Sequence, residues 1–385
     1  MRVLLAHNFY KISGGEDIVV RDELANLKQN GIDARFFSVD NDHINGFLEK
    51  ATSAVNVVYN LRSRRTFRKI LDDVRPDVVH IHNFFPTLSP SIFDACRAAR
   101  VPAVMTLHNF RLLSPGGLLY PDHADHDLKG PCWWTVPKKV YRNSAIGTLA
   151  VAAMIEFHKK AGTWFKKVDR FIALSTWAKA MFVAGGLPAD RIVVKPNFVA
   201  PPEASDIGMR RGALFVGRLD EQKGIHVLLR AWEGTDYPLT IIGDGPLANL
   251  VQESAQNGII YRGRQPRDVV QQEMRRAKFL VLPSLGSEML PVTVLEAFAN
   301  RLPVICSDLP ALSDLVKTGV TGLTFASGDA AALSRQAQWA ASNDRLMGEM
   351  ARRAASDYET RYTPEAHFAR IMEIYADAIG VFAAR

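Results

Sequence analysis

A chain of 385 residues, 48% hydrophobic and 23% charged, has an ordinary globular composition and enough length for two hydrophobic cores. No run approaches the roughly 18 to 20 uninterrupted apolar residues of a membrane-spanning helix, and three distant cysteines, Cys96, Cys132 and Cys306, argue against a disulfide framework and for a reducing, cytoplasmic setting. The net charge of +7 is uneven: residues 1–200 carry 27 Lys and Arg against 18 Asp and Glu, or +9, and residues 201–385 carry 20 against 22, or −2. An anionic partner is expected for the first half, a membrane surface or a phosphate-bearing acceptor; no helix-turn-helix, zinc-finger or aromatic RNA-binding pattern points to nucleic acid.

The opening MRVLLAH passes straight into polar and glycine residues without the long apolar stretch of a secretory leader, so it reads as a first buried strand. Short β-branched runs then alternate with helical patterns, the signature of strand-helix-strand units and of an α/β fold with parallel sheets. In the first half strands are expected near residues 3–7, 34–39, 78–82, 103–107, 171–174 and 192–195. Between the second and third lies LRSRRTFRKIL, where Arg62, Arg64, Arg65, Arg68 and Lys69 crowd beside Leu61, Phe67, Ile70 and Leu71. This basic amphipathic pattern over residues 61–71 is expected to touch an anionic membrane at the inner face of the cell, assisted by KKVYR and HKKAGTWFKK.

In the strand VVHIHNFF, His80 and His82 alternate and are expected on opposite faces, His80 packed and His82 nearer the loop end. His108 closes the strand ending TLH. Residues 109–140 break the rhythm with Pro, Gly and Asp and read as a loop or cap. His123, His126, Asp122, Asp125 and Asp127 within it suit a solvated acidic loop better than a metal site.

The pattern restarts near residues 213–216, 240–242, 259–262, 279–282, 304–306 and 323–325. The intervening NFVAPPEASDIGMRRG reads as a linker, so the boundary is set near residue 200: an N-terminal domain over 1–200 and a C-terminal domain over 201–363. From residue 364 to 385 apolar positions at helical spacing predict a last helix that packs back on the first domain.

Three motifs of the second half carry chemistry. FVGRLDEQKG places Gly217, Arg218 and Lys223 at the C-terminal end of a strand, where open α/β sheets bind ligands, and the two cations suit a diphosphate. IIGDGPL supplies Gly243 and Gly245 in a turn whose backbone can approach a ligand. SEMLPVTVLEAFA puts Glu288 before a helix and Glu296 two turns into it, with Met289 and Leu290 offering amides at a helix N-terminus; either carboxylate can accept from vicinal hydroxyls. Glutamates at this spacing, or loop cations, would each be unremarkable alone.

Their combination in this order resembles the nucleotide-sugar domain of glycosyltransferase family 4, of the GT-B fold, in which two doubly wound parallel-sheet (Rossmann-like) domains face a cleft. The resemblance implies that Arg218 and Lys223 bind the donor diphosphate, that Glu288 faces the transferred sugar and Glu296 the ribose, and that the stretch at Arg262 and Gly263 meets the base. More loosely, SGGED resembles the family's glycine-rich turn, with Gly14 and Gly15 near the phosphates or acceptor, and TLHN its sugar-contacting histidine, here His108. TLHNFRLLSP and GTWFKKVDRFIALS are similar to bacterial exopolysaccharide and lipopolysaccharide enzymes. Met289 stands where many members have Gly, and Pro291 lacks an amide. Ser114 stands where a capping-loop cysteine is common, leaving Cys132.

The resemblance implies retaining transfer from a nucleotide diphosphate-sugar to a glycan or lipid-linked acceptor, with no metal and no cofactor. A sugar-nucleotide epimerase or a non-catalytic sugar-nucleotide-binding subunit of the same fold remain as alternatives. A nicotinamide dehydrogenase is disfavoured, since SGGED and not G-x-G-x-x-G comes after the first strand.

Overall fold

The structure is a computed structural model that describes residues 1–10, 14–39, 55–119, 126–202, 208–255, 258–286 and 288–385. Its strands form two six-stranded sheets whose neighbours all run parallel. The first contains β1 (Arg2–Asn8), β2 (Asp33–Val39), β3 (Val78–Asn83), β4 (Ala103–Leu107), β5 (Arg170–Ala173) and β6 (Ile192–Val194), in the order β2-β1-β3-β4-β5-β6. The second contains β7 (Ala213–Val216), β8 (Leu239–Ile242), β9 (Ile259–Tyr261), β10 (Phe279–Leu282), β11 (Val304–Ser307) and β12 (Gly322–Phe325), in the order β12-β11-β10-β7-β8-β9. The strand order reverses between β1 and β3 in one sheet and between β7 and β10 in the other, and ligands of such sheets bind at the carboxyl ends of the strands there.

The first sheet is accompanied by α1 (Gly15–Gln29), α2 (Leu61–Val74), α3 (Ser91–Ala99), α4 (Ala145–Lys160), α5 (Thr163–Lys167) and α6 (Thr176–Ala184). With the second are α7 (Ile225–Trp232), α8 (Ala248–Glu253), α9 (Arg267–Arg276), α10 (Val292–Ala299), α11 (Pro310–Leu315), α12 (Ala330–Ser342) and α13 (Asp344–Arg361), before the final α14 (Pro364–Ala383). Local chemistry sets several starts: the Asn60 side chain accepts from the Ser63 amide at α2, and Ser144 from Gly147 at α4.

Two compact units result, Met1–Pro196 with His367–Arg385, and Asn197–Ala366. The first core gathers Val3, Leu5, Val20, Leu27, Val78, Val104 and Ile172, closed by Ile371, Ile374, Tyr375 and Ala378 of α14. The second is built on Phe215, Leu228, Trp232, Ile241, Phe279, Val281 and Leu333. Strands such as Val3–Ala6 and Phe279–Leu282 are buried throughout, because helices cover both faces of a parallel sheet, and so they read as unbroken apolar runs.

The pairing of β1 with β3 is irregular at its carboxyl end. The pairs run from Val3 with Val78 to Ala6 with Ile81, and then jump to His7 with Asn83, leaving His82 as the extra residue of a bulge. A bulge leaves its extra residue unpaired and bends the strand locally.

Candidate functional site

In the second unit the chain leaves β7 through Gly217 and Arg218, is capped by Asp220, whose carboxylate accepts from the Lys223 amide at 3.0 Å, and makes one 3-10 turn before α7. Gly224 ends that turn at φ +69°, and a Cβ there would lie 1.8 Å from the Pro283 carbonyl oxygen beyond β10. Only glycine lets the two strand ends close in this way. The closure brings Lys223 to Glu288: its ammonium donates to a Glu288 oxygen that also accepts from the Ser284 hydroxyl at 2.9 Å. Two of the expected residues, from loops after β7 and β10, thus meet at the point where the strand order reverses.

The remaining expected residues of this unit are placed around that pair. Gly243 and Gly245 come after β8 at φ +153° and +157°, and a Cβ on either would strike protein backbone, the Gly217 carbonyl at 1.8 Å and the Leu219 carbonyl at 2.5 Å. These glycines were expected to admit a ligand; in the structure they let two loops pack backbone to backbone. Gly263 joins the same layer, its carbonyl accepting from the Gly243 amide at 3.0 Å. Arg262 turns its guanidinium to Glu273 of α9 at 2.7 Å, and Arg218, largely exposed, pairs with Asp220 at 3.3 Å.

Helix α10 begins at Val292 after Pro291, later than expected, so Glu296 stands about one turn into it and not two, with Arg267 of α9 3.7 Å away. Met289 and Leu290 bury their side chains, and among the described residues their amides have no hydrogen-bond acceptor. Free amides ahead of a helix are suited to an anion.

In the first unit, β3, α14 and the chain just after β6 converge on one buried carboxylate, Glu23 of α1. His80 Nδ1 lies 2.8 Å and His82 Nε2 3.2 Å from its Oε1, and His367 Nε2 2.9 Å and Lys195 Nζ 3.5 Å from its Oε2. The Tyr375 hydroxyl and the Thr106 hydroxyl complete the contacts of His80, each within 2.8 Å. Here the expectation for His80 and His82 fails. Residues two apart in a strand share a face, and both rings lie on the same side of β3, their centroids 4.1 Å apart.

His82 in turn meets His108, at the end of β4, with His82 Nδ1 3.0 Å from His108 Nε2. Burial would by itself raise the Glu23 carboxyl, but the charges of His80 and Lys195 outweigh it and hold it well below the usual range. Burial, with the neighbouring His80, pushes His82 down to about 3; burial and His82 hold His108 well below its ordinary value. With Glu23 ionised and both rings neutral, one proton arrangement satisfies the chain. His82 Nε2–H donates to Glu23, His108 Nε2–H donates to His82 Nδ1, and His108 Nδ1 is left as an acceptor. An imidazole fixed in that state can accept from a sugar hydroxyl.

Around His108, Asn83 and Asn109 donate from Nδ2 to Glu16 at 3.1 and 3.5 Å, and burial pushes Glu16 up to about 7 against the opposing charge of Arg111. The Arg111 guanidinium lies over the Phe85 ring at 4.0 Å, and among the described residues its Nε and Nη1 have no hydrogen-bond partner. His82, Asn83, His108, Asn109 and Arg111 line a common recess at the carboxyl ends of β3 and β4. Gly14 and Gly15 are exposed at the start of α1, with nothing within 4 Å of a Cβ built on either.

Sequence reasoning passed over Glu16, Glu23, Arg111, Lys195 and His367. A signal existed for some: Glu23 sits between Val20 and Leu27 on the buried stripe of α1, and His367 precedes Ile371 and Ile374 on that of α14, where an ionisable residue demands a partner.

Of the 109–140 segment, Phe110 and Leu112 to Ser114 are buried. Asp122, His123 and Asp125 lie outside the described residues; His126 stacks on Trp134 at 3.9 Å, and the Asp127 carboxylate accepts from the Lys129 amide at 2.9 Å. In α2, Phe67 and Leu71 are buried in the unit's own core, Phe67 against Phe37, while Leu61 is 52% exposed and Ile70 half-buried, so two of the four apolar anchors expected over residues 61–71 are engaged within the unit. No helix among the described residues is long and apolar enough to cross a membrane.

Comparison with known proteins gives two family matches, Glycosyltransferase Family 4 over residues 13–201 and Glycosyl transferases group 1 over residues 210–343. A Bacillus subtilis glycosyltransferase named for teichuronic acid biosynthesis is 29% identical over 253 residues, 63% of this chain and 56% of that protein. A D-rhamnosyltransferase of Pseudomonas aeruginosa is 32% identical over 156 residues, 39% of this chain and 41% of that protein. The chain therefore spans about half the length of these relatives. Among solved structures, Anabaena HepE in complex with UDP superposes with a TM-score of 0.68 at 16% identity, covering 98% of this chain and all of that one, and shows the shared GT-B fold.

Proposed function

The chain belongs to glycosyltransferase family 4, and we propose on that basis that it transfers a sugar from a nucleotide diphosphate donor to a glycan or lipid-linked acceptor of a bacterial surface polysaccharide, with retention of configuration. The observation that carries the reading is the Lys223–Glu288–Ser284 cluster where β7 and β10 diverge. In this reading Lys223 and Arg218 neutralise the leaving diphosphate, the Met289 and Leu290 amides add their dipoles, Glu288 faces the transferred sugar and Glu296 holds the ribose. Fixed charges aimed at a leaving group are among the largest contributions to catalysis, and they need no metal. Gly217, Gly243, Gly245 and Gly263 shape the loops that receive the nucleotide. His108 meets the sugar through its Nδ1 acceptor, and Gly14 and Gly15 leave room at the start of α1 for the acceptor. The leaving phosphate takes the acceptor proton on the same face of the sugar.

HepE was solved with UDP, so UDP-sugars come first in a donor screen that extends to GDP- and ADP-sugars. Once a donor is found, NMR of the product in excess EDTA tests the reading. Transfer persists, and the new linkage has the anomeric configuration of the donor. An inverted linkage, strict metal dependence, or interconversion of the donor without transfer would each overturn it.

A further inference from the structure

Helix α4 is apolar on two sides. One side, with Val151, Ala152, Met154 and Ile155, is in the core. The other carries Ile146, Leu149 and Phe157, spaced three and eight residues apart and thus on one helical stripe, and these are 76%, 49% and 51% exposed; Phe165 on α5 adds another apolar side chain at 48%. Single exposed apolar side chains are ordinary, but a stripe of them on a helix that is hydrophobic all round is the mark of a second partner.

Charge identifies the partner. Between Cys132 and Lys167 the chain has many Lys and Arg and a single acid, Glu156. That acid is turned inward, accepting from the Cys132 amide at 2.9 Å. Lys139, Arg142, Lys160 and Lys166 are exposed at the two ends of the stripe and beside Phe165. A second copy of the chain would bring like charge against like charge across a symmetric interface. A bilayer with anionic headgroups accepts both features at once, the apolar side chains at the acyl boundary and the cations among the phosphates.

We propose that α4 and α5 form the face by which this protein docks on an anionic membrane, with Ile146, Leu149, Phe157 and Phe165 as the inserted side chains. The face is distinct from α2, whose Phe67 and Leu71 are buried and whose Arg68 is held by Asp72 at 2.8 Å. The cations of α2 add long-range attraction, and of its apolar side chains Leu61 alone is exposed, which makes no inserted stripe. Docking here rests on no assumption about the donor or the reaction, so it stands or falls apart from the transferase reading.

Co-sedimentation with vesicles of phosphatidylglycerol and phosphatidylcholine, against phosphatidylcholine alone, tests it. The wild-type chain binds the anionic vesicles and is released by high salt. The triple variant Ile146→Ser, Leu149→Ser, Phe157→Ser loses about tenfold or more in affinity, as does Lys139→Glu, Arg142→Glu, Lys160→Glu, while Arg64→Glu, Arg65→Glu, Arg68→Glu binds within about threefold of wild type. All substituted side chains are wholly or partly solvent-exposed, and an unchanged thermal melt shows that each variant is folded. Three results would overturn the proposal: equal binding to both vesicle types, undiminished binding by the apolar triple variant, or a wild-type dimer that this variant converts to monomer.

Discussion

Lys223 and Glu288 are each partly buried, and each is the other's charged partner, so removing the lysine leaves a carboxylate held, among the described residues, by Ser284. Lys223→Ala, and separately Arg218→Ala, are expected to lower kcat/KM by roughly tenfold to a hundredfold, the loss of one charge-assisted contact, with the melting temperature unchanged. Near-wild-type turnover in both would remove them from the mechanism. The buried histidines make a different forecast. Burial drives His82 down to about 3 and His367 down to about 4, with His108 also lowered, so between about pH 6.5 and 4 the unfolded chain binds protons that the folded chain refuses. Stability is then greatest above pH 6.5 and falls on acidification, by about 1.4 kcal/mol per pH unit for each group fully out of step. Glu16 works the other way: raised to about 7, it keeps a proton that the unfolded chain releases, which favours the folded state as pH falls from 7 to about 4.5. Three lowered histidines outweigh one raised carboxyl, so urea midpoints should drop from pH 7 to 5. His82→Gln and His367→Gln should each flatten that slope; a slope that neither changes would place the protons elsewhere.

At the scale of elements, the glycines separate into two kinds. Gly224 closes the turn before α7 against the Pro283 carbonyl, and Gly224→Ala forces a Cβ into that oxygen at a left-handed backbone; a cost on the order of 2 kcal/mol or more is expected, read as a lowered melting temperature. Gly14 has open space where a Cβ would go and an ordinary φ of −118°. Gly14→Ala should therefore leave the melt unchanged, and a loss of transfer in that variant would mean that the vacant volume belongs to a substrate. The strands and their order along the chain were legible because central parallel strands are continuous apolar runs, as FLVL and AVMTL are. The loops after β7 and β10 were legible as motifs, but not the contact between Lys223 and Glu288, which depends on a glycine closure between residues 65 apart in sequence. What escaped altogether was the bulge at His82. A one-residue register slip leaves no trace in hydrophobic pattern, and the convergence on Glu23 joins residues far apart in the chain. The shared face of His80 and His82, by contrast, follows from their spacing of two and was open to be read.

For the whole molecule, the two units differ in how the chain builds them. Asn197–Ala366 is one continuous stretch, whereas the first unit needs His367–Arg385 to complete it. Helix α14 supplies Ile371, Ile374, Tyr375 and Ala378 to the first core, and its His367 and Tyr375 reach the buried polar cluster. Ending the chain at Ala366 should accordingly destabilise the first unit and spare the second: hydrogen exchange would accelerate in β1, β3 and β4 while β7 and β10 stay protected. Equal protection of both sheets in the truncated chain would show that α14 is dispensable. The same arrangement sets an order of events at the ribosome. Domains generally fold as they emerge, N-terminal first. Here the stretch Met1–Pro196 is made early but lacks a wall of its core until the final helix has been released, so the second unit, contiguous in sequence, can close before the first. The nascent first half therefore carries an open groove, and a Glu23 cluster that still lacks His367 and Tyr375, until synthesis of the second unit and α14 is complete, and that is the interval in which a chaperone has something to hold.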